Sequence, residues 1–144
     1  MNGQNYKNHV QMVPPYHYGL FGLLLLGLIG SCVNLYESMG NHDRVYSASL
    51  LVLAFVTLIL TALYARIFAL KAQDRAIRAE ENMRCFVMTG KLLDPRLQVR
   101  QIIALRFAPD AEFLELAKRA ADQNMEPKDI KMAIKNWRGD YYRV

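Results

Sequence analysis

The sequence predicts an all-α membrane protein: a two-helix transmembrane hairpin whose second helix extends into a cytoplasmic stalk, followed by a small three-helix domain. Three observations carry this expectation. Residues 18–36 and 45–65 are apolar stretches without a charged side chain, residues 45–89 contain neither proline nor glycine, and acid–proline junctions punctuate the charged remainder. At about 1.5 Å per helical residue the two stretches reach roughly 28 and 31 Å, close to the thickness of a hydrocarbon core.

Residues 1–17 have no helical periodicity, and Pro14 with Pro15 pushes the chain toward extended structure, so an interfacial tail is expected there. The first span, 18–36, has Tyr18 at one end and Tyr36 at the other, with Tyr16 just ahead of it. The second span, 45–68, has Tyr46 and Tyr64 in the same roles. Tyrosines at all four ends match the aromatic belt of a spanning hairpin. The polar link is 37–44. No A-x-A site follows the first apolar run, so that run is expected to stay in the mature protein.

Of the 18 Lys and Arg and the 13 Asp and Glu, only Lys7, Arg44, Glu37 and Asp43 lie in the first 65 residues. The net charge of +5 therefore belongs to the C-terminal part. Arg66, Lys71, Arg75, Arg78 and Arg84 outnumber the lone Arg44 of the link, which predicts both termini on the cytoplasmic side. Cys32 and Cys85 fall too far apart along such a hairpin to form a disulfide.

On the first span Gly19, Gly22, Gly27, Gly30 and Asn34 fall within one arc of about 140°, with Ser31 beside it. Small residues let helix backbones approach, so this face is expected to pack against the second span or another copy. On the second, Ser47, Ala54, Thr61 and Phe68 recur at sevens, and Ala62, Ala65, Ala69, Ala72, Ala76 and Ala79 alternate at threes and fours. That heptad-like seam runs into the stalk, 69–90, and predicts self-association or packing on the C-terminal domain. Asp74 with Arg78 and Glu80 with Arg84 are expected to pair at i,i+4, and Gly90 to end the helix.

In the C-terminal domain, 91–144, Asp94-Pro95, Pro109-Asp110 and Glu126-Pro127 predict helices over 95–108, 111–124 and 127–138. Lys128, Lys131, Lys135 and Arg138 would form a basic stripe on the third, suited to a solvated face or to anionic lipid headgroups. Arg106 falls among apolar positions; it is expected to snorkel toward the helix end or to pair with Asp110, Glu112 or Asp129.

No catalytic, metal or cofactor pattern emerges. His9, His17 and His42 are scattered, Ser31 has no activating partner, and Gly90-Lys91 lacks the rest of a phosphate loop. Neither apolar stretch, 18–36 or 45–65, holds an acidic or basic side chain, which disfavours coupled transport. The leading expectation is a non-enzymatic scaffold or accessory subunit, with the lipid bilayer and either a homo-oligomer or a larger membrane complex as partners. An oligomeric channel lined by Asn34, Thr57 and Thr61, and a membrane-tethered lipid- or nucleic-acid-binding module, are the alternatives. Nucleic acid is disfavoured because no aromatic or Asn/Gln set accompanies the lysines.

Four strings, QNYKNH at 4–9, ALKAQDR at 69–75, QIIALRFA at 101–108 and KNWR at 135–138, resemble a family of small bacterial two-span membrane proteins without assigned function. The resemblance implies a bacterial inner-membrane setting. It brings no catalytic or ligand residues.

Overall fold

The computed structural model of the chain describes residues 4–6, 8 and 12–141. His9 and part of the 1–17 tail lie outside the described residues, which are helical with no strand among them. The chain divides into two compact units, Met12–Ala69 and a second made of Met1–Gln11 with Leu70–Val144.

The first unit is an apolar hairpin. Pro15–Leu20 forms π-helical turns (η1) that lead directly into α1, Phe21–Glu37. The expected extended entry is therefore overturned: Pro14 is helical at φ −56° and ψ −42°. Prolines at the start of a helix lose nothing by lacking N–H donors that would have no partner there. The link is also shorter than the sequence predicts. Gly40, at φ +95°, turns the chain, and Asn41 Oδ1 accepts the Arg44 N–H at 3.3 Å, so that α2 already begins at His42 and runs to Thr89.

Within this unit Leu24 and Ser31 of α1 and Ser38 just after it are buried, at the spacing of a two-turn repeat. On α2 the more protected positions are Val45, Ala48, Val52, Phe55, Ile59, Ala62 and Arg66, again at threes and fours. The expected sevenfold line through Ala54 and Thr61 is one residue out, a rotation of about 100°, and both are exposed. The reason is visible at two contacts. A Cβ on Gly27 would fall 2.1 Å from the Phe55 ring, so the ring occupies the space the glycine leaves, and the Tyr16 hydroxyl donates to the Ala62 carbonyl. Gly19, Gly22 and Gly30 meet nothing within 4 Å.

The second unit sets the last part of α2 beside three short helices, α3 (Val99–Leu105), α4 (Asp110–Asp122) and α5 (Pro127–Ala133). Gly90, at φ +72°, closes α2 by donating to the Phe86 carbonyl. The core joins Cys85 of α2 to Leu105, Phe107, Phe113, Ala120 and Ile130, with Trp137 lying 4.8 Å from Phe107 between ring centroids.

Two helix boundaries differ from expectation for stated reasons. Asp94-Pro95 begins a turn, closed by Leu97 N–H on the Asp94 carbonyl, and α3 starts only at the reciprocal Gln98–Gln101 cap. The final helix stops at Ala133 because Ile134 is extended and the Glu112 carboxylate then accepts the N–H groups of Lys135 and Asn136 at 2.9 and 3.1 Å.

Candidate functional site

The inner face of α2 in the second unit carries a web of charge. Ile77, Glu81 and Cys85 are buried at i, i+4 and i+8, which sets this face against the helical domain. Arg84, one turn from Glu81 and 12 % exposed, donates from Nη1 to Glu81 Oε2 at 2.9 Å, from Nε to Asp110 Oδ1 at 2.7 Å and from Nη2 to the Ala108 carbonyl at 2.9 Å. Its guanidinium also lies 4.3 Å from the centre of the Phe113 ring. One planar cation thus satisfies a carboxylate of its own helix, the first residue of α4 and the carbonyl ahead of it.

Glu81 is shared. Its other oxygen lies 3.8 Å from Arg138 Nη1, and only 6 % of its side chain is exposed. Beyond it Arg106, 9 % exposed, sets Nε 3.1 Å from Asp140 Oδ2 and stacks 4.6 Å from the centre of Phe107. Asp140 N–H donates to Gln4 Oε1 at 2.7 Å, tying the N-terminal segment to the same place. These groups surround a cavity of about 300 Å³, into whose lining Gln73 and Glu80 also enter. The Gln73 Oε1 atom is buried there without a hydrogen-bond donor. Three arginines, Arg84, Arg106 and Arg138, approach three carboxylates, Glu81, Asp110 and Asp140, so the paired cluster is neutral; it clamps helices and offers no net charge to an anion.

A second set of charges fastens the loops. The Arg96 guanidinium holds the Asp94 carboxyl down at about 2 and also reaches Asp122 at 2.8 Å, raising its own value. Glu112 is held below the usual carboxylate range, first by the Lys135 N–H and then by Asn136.

The predicted residues are distributed as follows. Arg106 is buried against Asp140 and pairs with none of Asp110, Glu112 or Asp129, and it does not snorkel. Lys128 and Lys131 lie on α5, but Lys135 and Arg138 lie beyond its end. The four therefore do not form one helical stripe: Lys131 sits 5.8 Å from the Phe107 ring centre and Arg138 approaches Glu81. Neither expected i,i+4 pair forms; Arg84 turns instead to Glu81 and Asp110. Ala65, Ala72, Ala76 and Ala79 are exposed, and Ala69 is half-buried. The hydroxyls of Thr57 and Thr61 donate to the carbonyls of Leu53 and Thr57 at 2.8 Å, inside their own helix. Among the described residues no three His, Cys, Asp or Glu are grouped as metal ligands.

Sequence reasoning missed the Glu81, Arg84, Asp110 and Asp140 web, because its partners come from segments far apart in the chain. Met83 and Phe86 were also missed, although they continue the threes-and-fours spacing of the alanines and are exposed.

No curated protein and no solved structure matches the chain. The match to a known family runs over residues 1–144, the whole sequence, and on that ground the protein belongs to the family of unknown function DUF6526.

Proposed function

We propose that this is an integral protein of the bacterial cytoplasmic membrane, a scaffold or accessory subunit that inserts by its apolar hairpin and holds its C-terminal helical unit in the cytoplasm. The observation that carries this reading is the surface of the hairpin. Leu23, Leu26, Ile29, Val33, Leu53 and Leu58 are each more than half exposed, on helices long and apolar enough to cross a bilayer. A contiguous apolar surface of that extent is costly in water and favourable in lipid. The hydroxyls of Ser31, Thr57 and Thr61 each donate to a carbonyl of their own helix, as a lipid environment favours.

A scaffold role fits the C-terminal unit, whose charges neutralise one another around Glu81 and Arg84 and brace helices together. A channel is less well supported, because Thr57 and Thr61 already bond to their own backbone. The experiment is alkaline carbonate extraction of membranes containing the full chain, followed by mass measurement in lipid nanodiscs. Retention in the pellet and a mass above one chain are expected. Release into the supernatant would remove the membrane reading, and a bare monomer with no co-purifying protein would remove the scaffold.

A further inference from the structure

Within the second unit α2 has two faces. Ile77, Glu81 and Cys85 are buried in the helical domain; Ala72, Ala76, Ala79, Met83 and Phe86 are centred about 180° around the helix and all are exposed, with Ala76 at the edge of the row that also borders the cavity. Phe86 and Met83 are 50 % and 62 % exposed, with Val87 beside them at 77 %. The spacing 72, 76, 79, 83, 86 is four, three, four, three, which is the a/d pattern of a coiled coil, with Ala76 and Met83 at a and Ala72, Ala79 and Phe86 at d. Such a row, three alanines continued by two large apolar side chains, on a charged helix is a surface suited to a second helix.

The charges beside the row identify that partner. In this register Arg75 takes the g position before Ala76 and Glu80 the e position after Ala79. A parallel two-stranded coil brings g of one helix next to e of the following heptad on the other, five residues on, so Arg75 meets Glu80 of a second copy, twice by symmetry. Neither Arg75 nor Glu80 has an ion-pair partner inside the chain among the described residues. The remaining flanks, Gln73, Asn82 and Val87, carry no charge, so the parallel register creates no like-charge contact. An antiparallel coil pairs g with g and e with e, and loses the match.

We infer that the α2 face of Ala72, Ala76, Ala79, Met83 and Phe86 is a parallel, in-register homodimer interface, with Arg75 of each copy paired to Glu80 of the other. This rests on the membrane reading above, which requires two copies inserted alike to run α2 in the same direction. Close approach at the three alanines and burial of Met83 and Phe86 supply the contact, and the two ion pairs select register and direction.

The test is disulfide crosslinking of the full-length protein in its own membranes, in a Cys32→Ser, Cys85→Ala background. Single cysteines at Ala72, Ala76, Ala79 and Met83 are expected to give a product of twice the chain mass, and cysteines at Lys71, Asp74 and Arg78 to give little. Because each variant links a residue only to its own copy, the pattern reports parallel, in-register contact. Arg75→Glu or Glu80→Arg alone should lower the Ala79→Cys product by about two- to tenfold, and the double exchange should restore it. Crosslinking spread evenly around the helix, a product containing another protein, or no recovery in the double exchange would each overturn the interface. Carbonate extraction of the same membranes separates the two failures. Retained protein without seam crosslinks removes the dimer and leaves the membrane reading intact; released protein removes both.

Discussion

Arg84 Nε donates to Asp110 Oδ1 at 2.7 Å across 26 residues of sequence, while the same guanidinium bonds Glu81 on its own helix. This contact joins α2 to the start of α4, and it explains why Glu81 can be buried on an otherwise apolar face. A carboxylate withdrawn from water needs its cation close and well oriented, and breaking such a pair leaves an uncompensated charge.

Removing Glu81 is accordingly expected to cost more than removing Asp110. Glu81→Ala should lower the stability of the unit by about 3 kcal/mol, since the Arg84 guanidinium stays buried. Asp110→Ala should cost about 0.5 kcal/mol, because that side chain is 75 % exposed. Denaturant unfolding of detergent-solubilised protein, followed by the fluorescence of the single tryptophan, Trp137, measures both. Equal losses would contradict the inward role of Glu81.

The acid limb should report Glu112 and Asp94. Both carboxyls are held below their ordinary values, Asp94 at about 2, so each contributes stability that is fully present above the ordinary range and is lost as pH falls through the lowered value. Wild-type protein should loosen around Trp137 between about pH 4.5 and 2. Glu112→Gln keeps the shape but cannot titrate, and should flatten that slope while weakening the hold on Lys135 and Asn136 at pH 7. An unchanged acid slope would show that Glu112 does not anchor the segment after α5.

Gly27 and Gly30 should behave oppositely. Gly27→Ala drives a methyl into the Phe55 ring and is expected to destabilise the hairpin by about 1–3 kcal/mol. Gly30→Ala meets nothing and should be neutral or gain up to about 1 kcal/mol of helix propensity. Thermal unfolding in detergent compares them, and Phe55→Ala should rescue Gly27→Ala. If Gly30→Ala proves as harmful as Gly27→Ala, the glycine arc packs against something outside the chain.

Orientation is best probed at Val87. Cys85 is buried, 3.8 Å from Thr89 Oγ1, and would resist an impermeant thiol reagent on either side of a membrane. Val87→Cys, in the Cys32→Ser, Cys85→Ala background, should be shielded in intact cells and labelled after lysis. Labelling from outside would reverse the proposed topology.

The contrast between α2 and α5 shows which structure is legible in a sequence. Forty-eight helical residues without proline or glycine, closed by Gly90, follow from local rules alone. The end of α5 does not. Nothing between Ala133 and Arg138 breaks a helix; the chain leaves it because Glu112, 23 and 24 residues back, captures the next two N–H groups. A basic stripe along 128–138 requires a helix through Arg138, and α5 ends at Ala133.

What the sequence determined by itself was the apolar hairpin, the long helix and the existence of three short ones, because hydropathy, propensity and proline placement act on neighbours. Which way each helix faces was decided only in the tertiary structure. The Phe55 ring beside Gly27 and the Tyr16 bond to Ala62 rotate the α2 face of the hairpin by one residue. Likewise the burial of Ile77, Glu81 and Cys85 turns the alanine row, with Met83 and Phe86, outward. A small-residue period records that a helix can be approached closely, and only the competing claims of larger side chains and buried charges choose the face.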